Sequence, residues 1–255
     1  MKEKMKSLFF KIWYWYISSV DKNAEVIFMN YGYSNEEEEL KLNEKDKKNR
    51  YSIQLYNLVA AGTNIAEKDL LEVGCGRGGG LSYINQNLLP KNVTGIDLNK
   101  KAIQFCNKFY KESNSTFMQA NAQKLPFKDN SFDVVLNVES SHRYPQPEVF
   151  FKEVYRVLKP GGYFLFSDFR FDYEIEETES QLKKAGLQME KKQDITPNVV
   201  KALESATPDR EILIKKIVPK LLQNLAGQFA AIVGTPTYNK FLTRKFIYFN
   251  YVLKK

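Results

Sequence analysis

Three glycines in one short stretch have the spacing of a ligand-holding turn. LLEVGCGRGGG (70–80) sets Gly74, Gly76 and Gly79 in the pattern G-x-G-x-x-G. Glycine lets the chain turn sharply and lets a ligand come close to the backbone. A helix starting there presents free N–H groups and a partial positive charge, which suit an anionic group. Asp97, about 20 residues on, is placed to take ribose hydroxyls. Loop and acid together read as a nucleoside-type cofactor site and leave open which cofactor. Further along stands His142, the one histidine of the chain. An imidazole with a pKa of about 6.5 is matched to removing a proton from a hydroxyl near neutral pH. Asp168 and Glu139 are the carboxylates that can orient the ring and favour its charged form.

The elements that must hold these groups are legible in outline. Short apolar runs predict strands at Asp69–Val73, Asn92–Asp97, Ser115–Gln119, Phe132–Asn137 and Gly162–Phe169. Helical spacing predicts helices at Gly79–Asn87, Lys100–Lys111, Glu148–Leu158 and Glu174–Ala185 between and after them. This alternation argues for a parallel sheet with helices on both faces. Ligands of such sheets sit beyond the carboxyl ends of the strands, where Asn137 runs into VESSHRYP (138–145) and Asp168 ends the next strand. Leu187–Ile195 reads as a further strand. Residues 197–243 read as helical with breaks at Pro208, Pro219, Gly227 and Gly234–Pro236, and 245–253 as the last strand.

Composition narrows the function classes. The formal net charge of +8 favours anionic partners: a membrane surface, nucleic acid or an acidic small molecule. Much of the excess lies in 201–255, where ten Lys/Arg face three Asp/Glu. No RNA- or DNA-binding module accompanies it, so nucleic acid is not an expected partner. Two cysteines without a CxxC, together with one histidine, build neither a disulfide framework nor an ordinary zinc site. They fit a reducing, cytoplasmic compartment. The apolar run Leu8–Val20 is interrupted by Lys11 and falls short of the roughly 20 residues that a membrane span needs. Lys2, Lys4, Lys6 and Lys11 alternate with Met5, Phe9, Phe10 and Trp13 as on an interfacial helix, which points to peripheral membrane contact.

Glu72 before the first glycine, SFDVVLN (131–137) and VLKPGGYFLF (157–166) complete an ordered motif set. The set resembles the class I S-adenosylmethionine-dependent methyltransferases. The resemblance implies a Rossmann-like α/β fold with a seven-stranded, mostly parallel sheet. It implies S-adenosylmethionine as cofactor, with Glu72, Gly74, Cys75, Gly76 and Asn137 around its methionine part. Asp97 would hold the ribose and Leu98 would lie against the adenine. NAQKLPF (121–127) resembles the segment capping the adenine edge, which brings in Asn121 and Ala122. Asn121 stands where relatives usually carry Asp, and its side-chain oxygen can still accept from the adenine amino group. His142 would then stand near the sulfonium methyl as general base, with Asp168 as its partner. The residues Asn137-Val138-Glu139-Ser140 depart from the (N/D)-P-P-(Y/F) pattern of adenine and glutamine N-methylating enzymes.

A closer resemblance spans roughly residues 10 to 250. WYWY (13–16), EVIFMNYGY (25–33), NRYSIQLY (49–56), GGGLSY (78–83), NVESSHRYP (137–145), GGYF (161–164) and QFAAIVGT (228–235) carry it. The family is that of the phthiotriol/phenolphthiotriol dimycocerosates methyltransferases, bacterial lipid O-methyltransferases. It implies an apolar hydroxylated acceptor, lipid or polyketide, with Glu139, Arg143 and Tyr144 lining its pocket. Arg77 departs from a histidine expected in the glycine loop, and Arg143 from a small residue after His142. An arginine there can recognise an anionic group. The resulting expectation is one domain: a helical N-terminal cap (1–60), a cofactor-binding core (61–195), a helical lid (196–243) and a last strand (244–255). The alternatives are N- or C-methylation of another small metabolite, or a non-catalytic cofactor-binding protein at a membrane.

Overall fold

The computed structural model describes residues 19–21, 24–35, 40–111 and 113–255. The WYWY lead and the lysines at 2–11 fall outside the described residues. Two helices come first, α1 (Glu44–Lys47) and α2 (Arg50–Ala60). The alternating part follows as β1 (Asp69–Val73), α3 (Gly79–Leu88), β2 (Asn92–Asp97), α4 (Lys100–Phe109), β3 (Ser115–Gln119) and β4 (Phe132–Val138). It continues through α5 (Pro147–Val157), β5 (Leu158–Phe171), α6 (Ile175–Lys184) and β6 (Gln188–Asp194). Three helices, α7 (Thr196–Ile217), α8 (Gln223–Phe229) and α9 (Pro236–Leu242), lead into β7 (Phe246–Lys254).

The seven strands form one sheet in the order β3-β2-β1-β4-β5-β7-β6, with β7 antiparallel to both its neighbours. This is the Rossmann-like architecture the sequence implies. β1 and β4 are buried on both faces through Leu70, Leu71, Val73, Val134, Val135 and Leu136, so each reads as a continuous apolar run. The chain steps outward from β1 to β2 and β3, then returns to the other side of β1 as β4. That reversal opens a crevice above the carboxyl ends of β1 and β4. Local signals start the helices. Asn99 caps α4 by accepting from the Lys101 and Ala102 amides, and Pro147 opens α5 with a preset φ. On one face of the sheet α5 buries Phe150, Phe151, Val154 and Val157. On the other, α2, α7 and α9 pack Leu55, Val59, Val199, Leu203 and Phe241 into a second cluster.

The structure departs from the sequence reading in three places. β5 begins at Leu158, not Gly162, because Leu158 already pairs with Phe132 and the Pro-Gly-Gly stretch is accommodated as an irregularity within the strand. The described part of the N-terminal cap, 24–35, is extended chain and not helix. Its backbone groups bond outward, Ile27 O to Gly79 N, Tyr33 N to Tyr51 O and Ser34 N to Asn198 O, which a helix would forbid. α7 runs through Pro208, where the Thr207 hydroxyl donates to Leu203 O, and α8 runs through Gly227; Pro219 and Gly234–Pro236 do interrupt. Among the described residues no helix is long and apolar enough to cross a membrane, and no group of three or more His, Cys, Asp or Glu could hold a metal.

Phe241 is fully buried where α9 meets the sheet, with Tyr31, Phe169 and Phe246 within about one ring's reach. Phe241→Ala is expected to cost about 3–5 kcal/mol, through lost burial and a cavity the rigid neighbours cannot fill. A urea unfolding curve of the variant against the parent chain measures it.

Candidate active site

The glycine loop closes directly after β1. The Gly74 and Cys75 amides both donate to Ile96 O at 2.8 and 3.0 Å, tying the turn to β2. Gly76 sits at φ 53°, a left-handed conformation that a side chain strains. Its amide donates to Asp97 Oδ2 at 2.9 Å, while Asp97 Oδ1 accepts from the Asn99 amide at 2.7 Å. Burial pushes the Asp97 carboxyl up from its ordinary range. A carboxylate accepts about four bonds, so both oxygens keep capacity toward a ligand. Beyond Asp97, Leu98 is 57% exposed, an apolar side chain held out at the strand end. Ala122 is nearly buried, and Asn121 Oδ1 accepts from the Gln123 amide at 3.0 Å in a local turn. Cys75 is buried and free, its thiol pushed up by the neighbouring Cys106 and by burial.

Beneath the loop lies an acid the protein only half satisfies. Glu72 is fully buried, and its Oε1 accepts from the Tyr56 hydroxyl at 2.7 Å. Its Oε2 has no hydrogen-bond partner. Burial pushes the carboxyl up to about 8, so without a cation beside it the group is largely protonated at neutral pH. Asn137, also fully buried, donates from Nδ2 to Val73 O at 2.7 Å and leaves Oδ1 without a partner. Tyr144 closes this corner: its hydroxyl lies 2.7 Å from Ser140 Oγ and accepts from Asn137 Nδ2 at 3.2 Å. The fit to the cofactor expected from the sequence is good. Glu72 offers an unpartnered buried oxygen to an ammonium, Asp97 offers acceptors to two hydroxyls, and Leu98 offers an apolar face to a purine.

His142 stands on a single 3-10 turn, Ser141–Arg143, after β4. Its Nδ1 lies 2.7 Å from Asp168 Oδ1, and its amide donates to Asp168 Oδ2 at 3.0 Å. Asp168 comes from β5, is fully buried, and also accepts from the Ser141 hydroxyl at 2.8 Å and the Phe169 amide at 2.9 Å. Arg170 pairs with it at 3.1 Å. The His142 and Arg170 charges hold its carboxyl well below the usual range against the opposing effect of burial. Burial holds the imidazole below its ordinary 6.5 although Asp168 pulls it up. The ring packs on Phe169 at 4.3 Å between centroids, and its Nε2 accepts from Arg143 Nε at 3.0 Å.

Glu139 is placed elsewhere. Its Oε1 accepts from the Tyr31 amide at 2.6 Å and the Tyr248 hydroxyl at 2.7 Å, and burial pushes it up to about 8. It fastens the extended N-terminal segment to β7, and Asp168 alone of the two candidate acids meets the imidazole. Arg210 completes the fastening by donating to Tyr31 O at 2.9 Å and Ala230 O at 2.6 Å. Arg77, the other departure in the glycine loop, is buried over the Phe105 ring at 3.8 Å and donates to Asp21 O at 2.9 Å. Arg170, Ser141, Tyr56, Tyr248 and Arg210 escaped the sequence reading. Only Arg170 had a usable signal, an arginine two residues past Asp168 on the same strand face.

Comparison with known proteins agrees with this geometry. Residues 71–166 match the family model described as a methyltransferase domain. A protein of Mycolicibacterium smegmatis named fatty-acid O-methyltransferase is 45% identical over 84% of this chain and 78% of its own. A Mycobacterium ulcerans protein named probable phthiotriol/phenolphthiotriol dimycocerosates methyltransferase 2 is 40% identical over 89% of each. Among solved structures, the cyclopropane synthase MmaA2 from Mycobacterium tuberculosis superposes with a TM-score of 0.73 at 14% identity, over 93% of this chain and 95% of its own, which is a likeness of fold.

With one histidine in the chain, a single imidazole signal reports the site. NMR titration is expected to place its midpoint below 6.5. Asp168→Asn removes the upward pull of the carboxylate and is expected to lower the midpoint further.

Proposed function

The chain belongs to the class I S-adenosylmethionine-dependent methyltransferases, and from that premise we propose that it methylates an oxygen of an apolar, lipid-like acceptor. The observation that carries this reading is the buried His142–Asp168 pair on the rim above β4 and β5. It stands beside an aromatic wall of Phe169, Tyr31 and Phe241. Relatives named for a fatty acid and for phthiotriol dimycocerosates support an acceptor of that kind.

S-adenosylmethionine, when bound, supplies an electrophilic methyl group. In this proposal Glu72 faces its ammonium, Asp97 its ribose hydroxyls, Leu98 its adenine, and the loop of Gly74 and Gly76 its carboxylate end. Asn121 and Ala122 lie at the adenine edge, and Asn137 and Tyr144 fix the strand ends around the methionine part. Asp168 fixes the ring of His142 with Nδ1 inward, which turns Nε2 toward the acceptor side. Because burial keeps the ring neutral at pH 7, Nε2 carries a lone pair there. The roof of 24–35 and the helices of 197–243 would shield the reaction from water.

Incubation with labelled S-adenosylmethionine and a panel of long-chain acids, alcohols and amines tests the reading. Label is expected on oxygen; label found only on nitrogen or carbon overturns it. The size of the His142→Ala loss reads how much proton transfer the reaction needs. A loss of roughly 10²–10⁴-fold is expected for a hydroxyl acceptor, and a smaller one for an oxygen that arrives ionised.

Glu72 supplies a second test that needs no turnover. A carboxyl pushed up to about 8 must ionise when an ammonium settles against it. Calorimetry at pH 7 in buffers of different ionisation enthalpy is expected to show a proton released by the parent chain on binding S-adenosylmethionine. Glu72→Gln is expected to release close to one fewer.

A further inference from the structure

We infer that the acceptor oxygen is already ionised when it is methylated, as the carboxylate of an apolar chain, and that Arg143 is the residue that selects it. This rests on the O-methylation proposed above and names its substrate class. The argument begins with the lone pair of His142. A neutral imidazole has one nitrogen that donates and one that accepts. Nδ1 faces the Asp168 carboxylate at 2.7 Å and is the donor. Nε2 is therefore the acceptor, and Arg143 Nε already donates to it at 3.0 Å. The nitrogen that would remove a hydroxyl proton is bonded to a permanent cation. Proton transfer to it would break that bond and set an imidazolium against a guanidinium.

The charges around the ring favour an anion. Facing it are Asp168 and Arg170 from β5 and Arg143 from its own turn. Arg170 and Asp168 offset one another, which leaves the positive charge of Arg143 beside a neutral ring. Glu139, the remaining acid of the turn, is directed to Tyr31 and Tyr248 and is largely protonated at neutral pH. A neutral imidazole is a weak partner for a guanidinium. A carboxylate offers charge-assisted, two-pronged bonds of about twice the strength, so it can draw Arg143 off the ring. Next to this charged corner lies Phe169 and then Tyr31, Phe241 and Phe246, a wall suited to a hydrocarbon chain and to no polar body.

The chemistry balances without a base. One lone pair of the carboxylate forms the new C–O bond as the S–CH3 bond breaks and its electron pair returns to sulfur. Anion and sulfonium become a neutral ester and a neutral thioether, and no proton changes hands. The imidazole then serves to hold the arginine in place until the acceptor arrives.

A matched pair of acceptors decides the matter: a long-chain fatty acid and the fatty alcohol of the same length, with S-adenosylmethionine and mass-spectrometric detection of methyl ester and methyl ether. The ester is expected, with the ether at least about 100-fold slower. Ether as the main product overturns the ionised-acceptor inference and leaves O-methylation standing. Transfer to neither, with label on an amine instead, overturns both. Arg143→Gln is expected to raise KM for the acid at least tenfold with the effect in KM rather than kcat, and Arg143→Lys to recover part of it. Calorimetric binding of the fatty acid to the chain without cofactor is expected to weaken by a similar factor in Arg143→Gln. An unchanged KM and an unchanged Kd in that variant overturn the role of Arg143.

Discussion

A buried negative charge organises the reactive corner of this protein. Asp168 is sealed from solvent at the end of β5, and an ion so placed is costly unless every lone pair is met. It is met by the Ser141 hydroxyl, the His142 amide and ring, the Phe169 amide and Arg170. Two of those donors are backbone and fix the path of the chain. Two are side chains of the turn after β4, so the turn is pinned to the neighbouring strand. The position of the imidazole follows from satisfying the carboxylate, and the left-handed φ of 45° at Glu139 is the bend that brings the turn into reach. Removing the acid from such a cluster leaves stacked positive charge, and breaking buried pairs of this kind costs about 3–5 kcal/mol.

A second set of polar contacts works at the level of architecture. The extended segment 24–35 crosses the glycine loop, where Ile27 O accepts from the Gly79 amide. It is held from one side by Glu139 and from another by Arg210. Neither contact is local: each joins residues more than 100 positions apart. The roof over the crevice is therefore built from both ends of the described chain, and its closure depends on β7 and α7 being docked first.

The core was readable from the sequence because its determinants are local. Apolar runs bounded by glycine marked β1 and β2 at their observed limits, and 3.6-residue periodicity marked α5 to within one residue at each end. The loop of Gly74 and Gly76 and the acid Asp97 were readable for the same reason, since strand, turn and helix are contiguous. Pairing of His142 with Asp168, against the competing Glu139, was only half legible. Both acids are near in sequence to strand ends, and nothing local says that Tyr31 and Tyr248 will claim one of them. The tyrosines and arginines that complete the site act across the sheet, where sequence spacing carries no information. The N-terminal segment misled because its aromatic residues look amphipathic, while its backbone partners lie on three other elements.

The position of β7 in the sheet has a consequence for biogenesis. It lies between β5 and β6, so those two strands cannot be joined until Phe246–Lys254 has left the ribosome. Tyr248, which steadies Glu139, belongs to that late strand. A nascent chain arrested before this point would carry a complete cofactor-binding half with two open strand edges and an unassembled reaction chamber. Cofactor could be sequestered early in synthesis, but methyl transfer would wait for the final strand to slot in. Until then the exposed edges of β5 and β6 would be natural targets for chaperones and proteases.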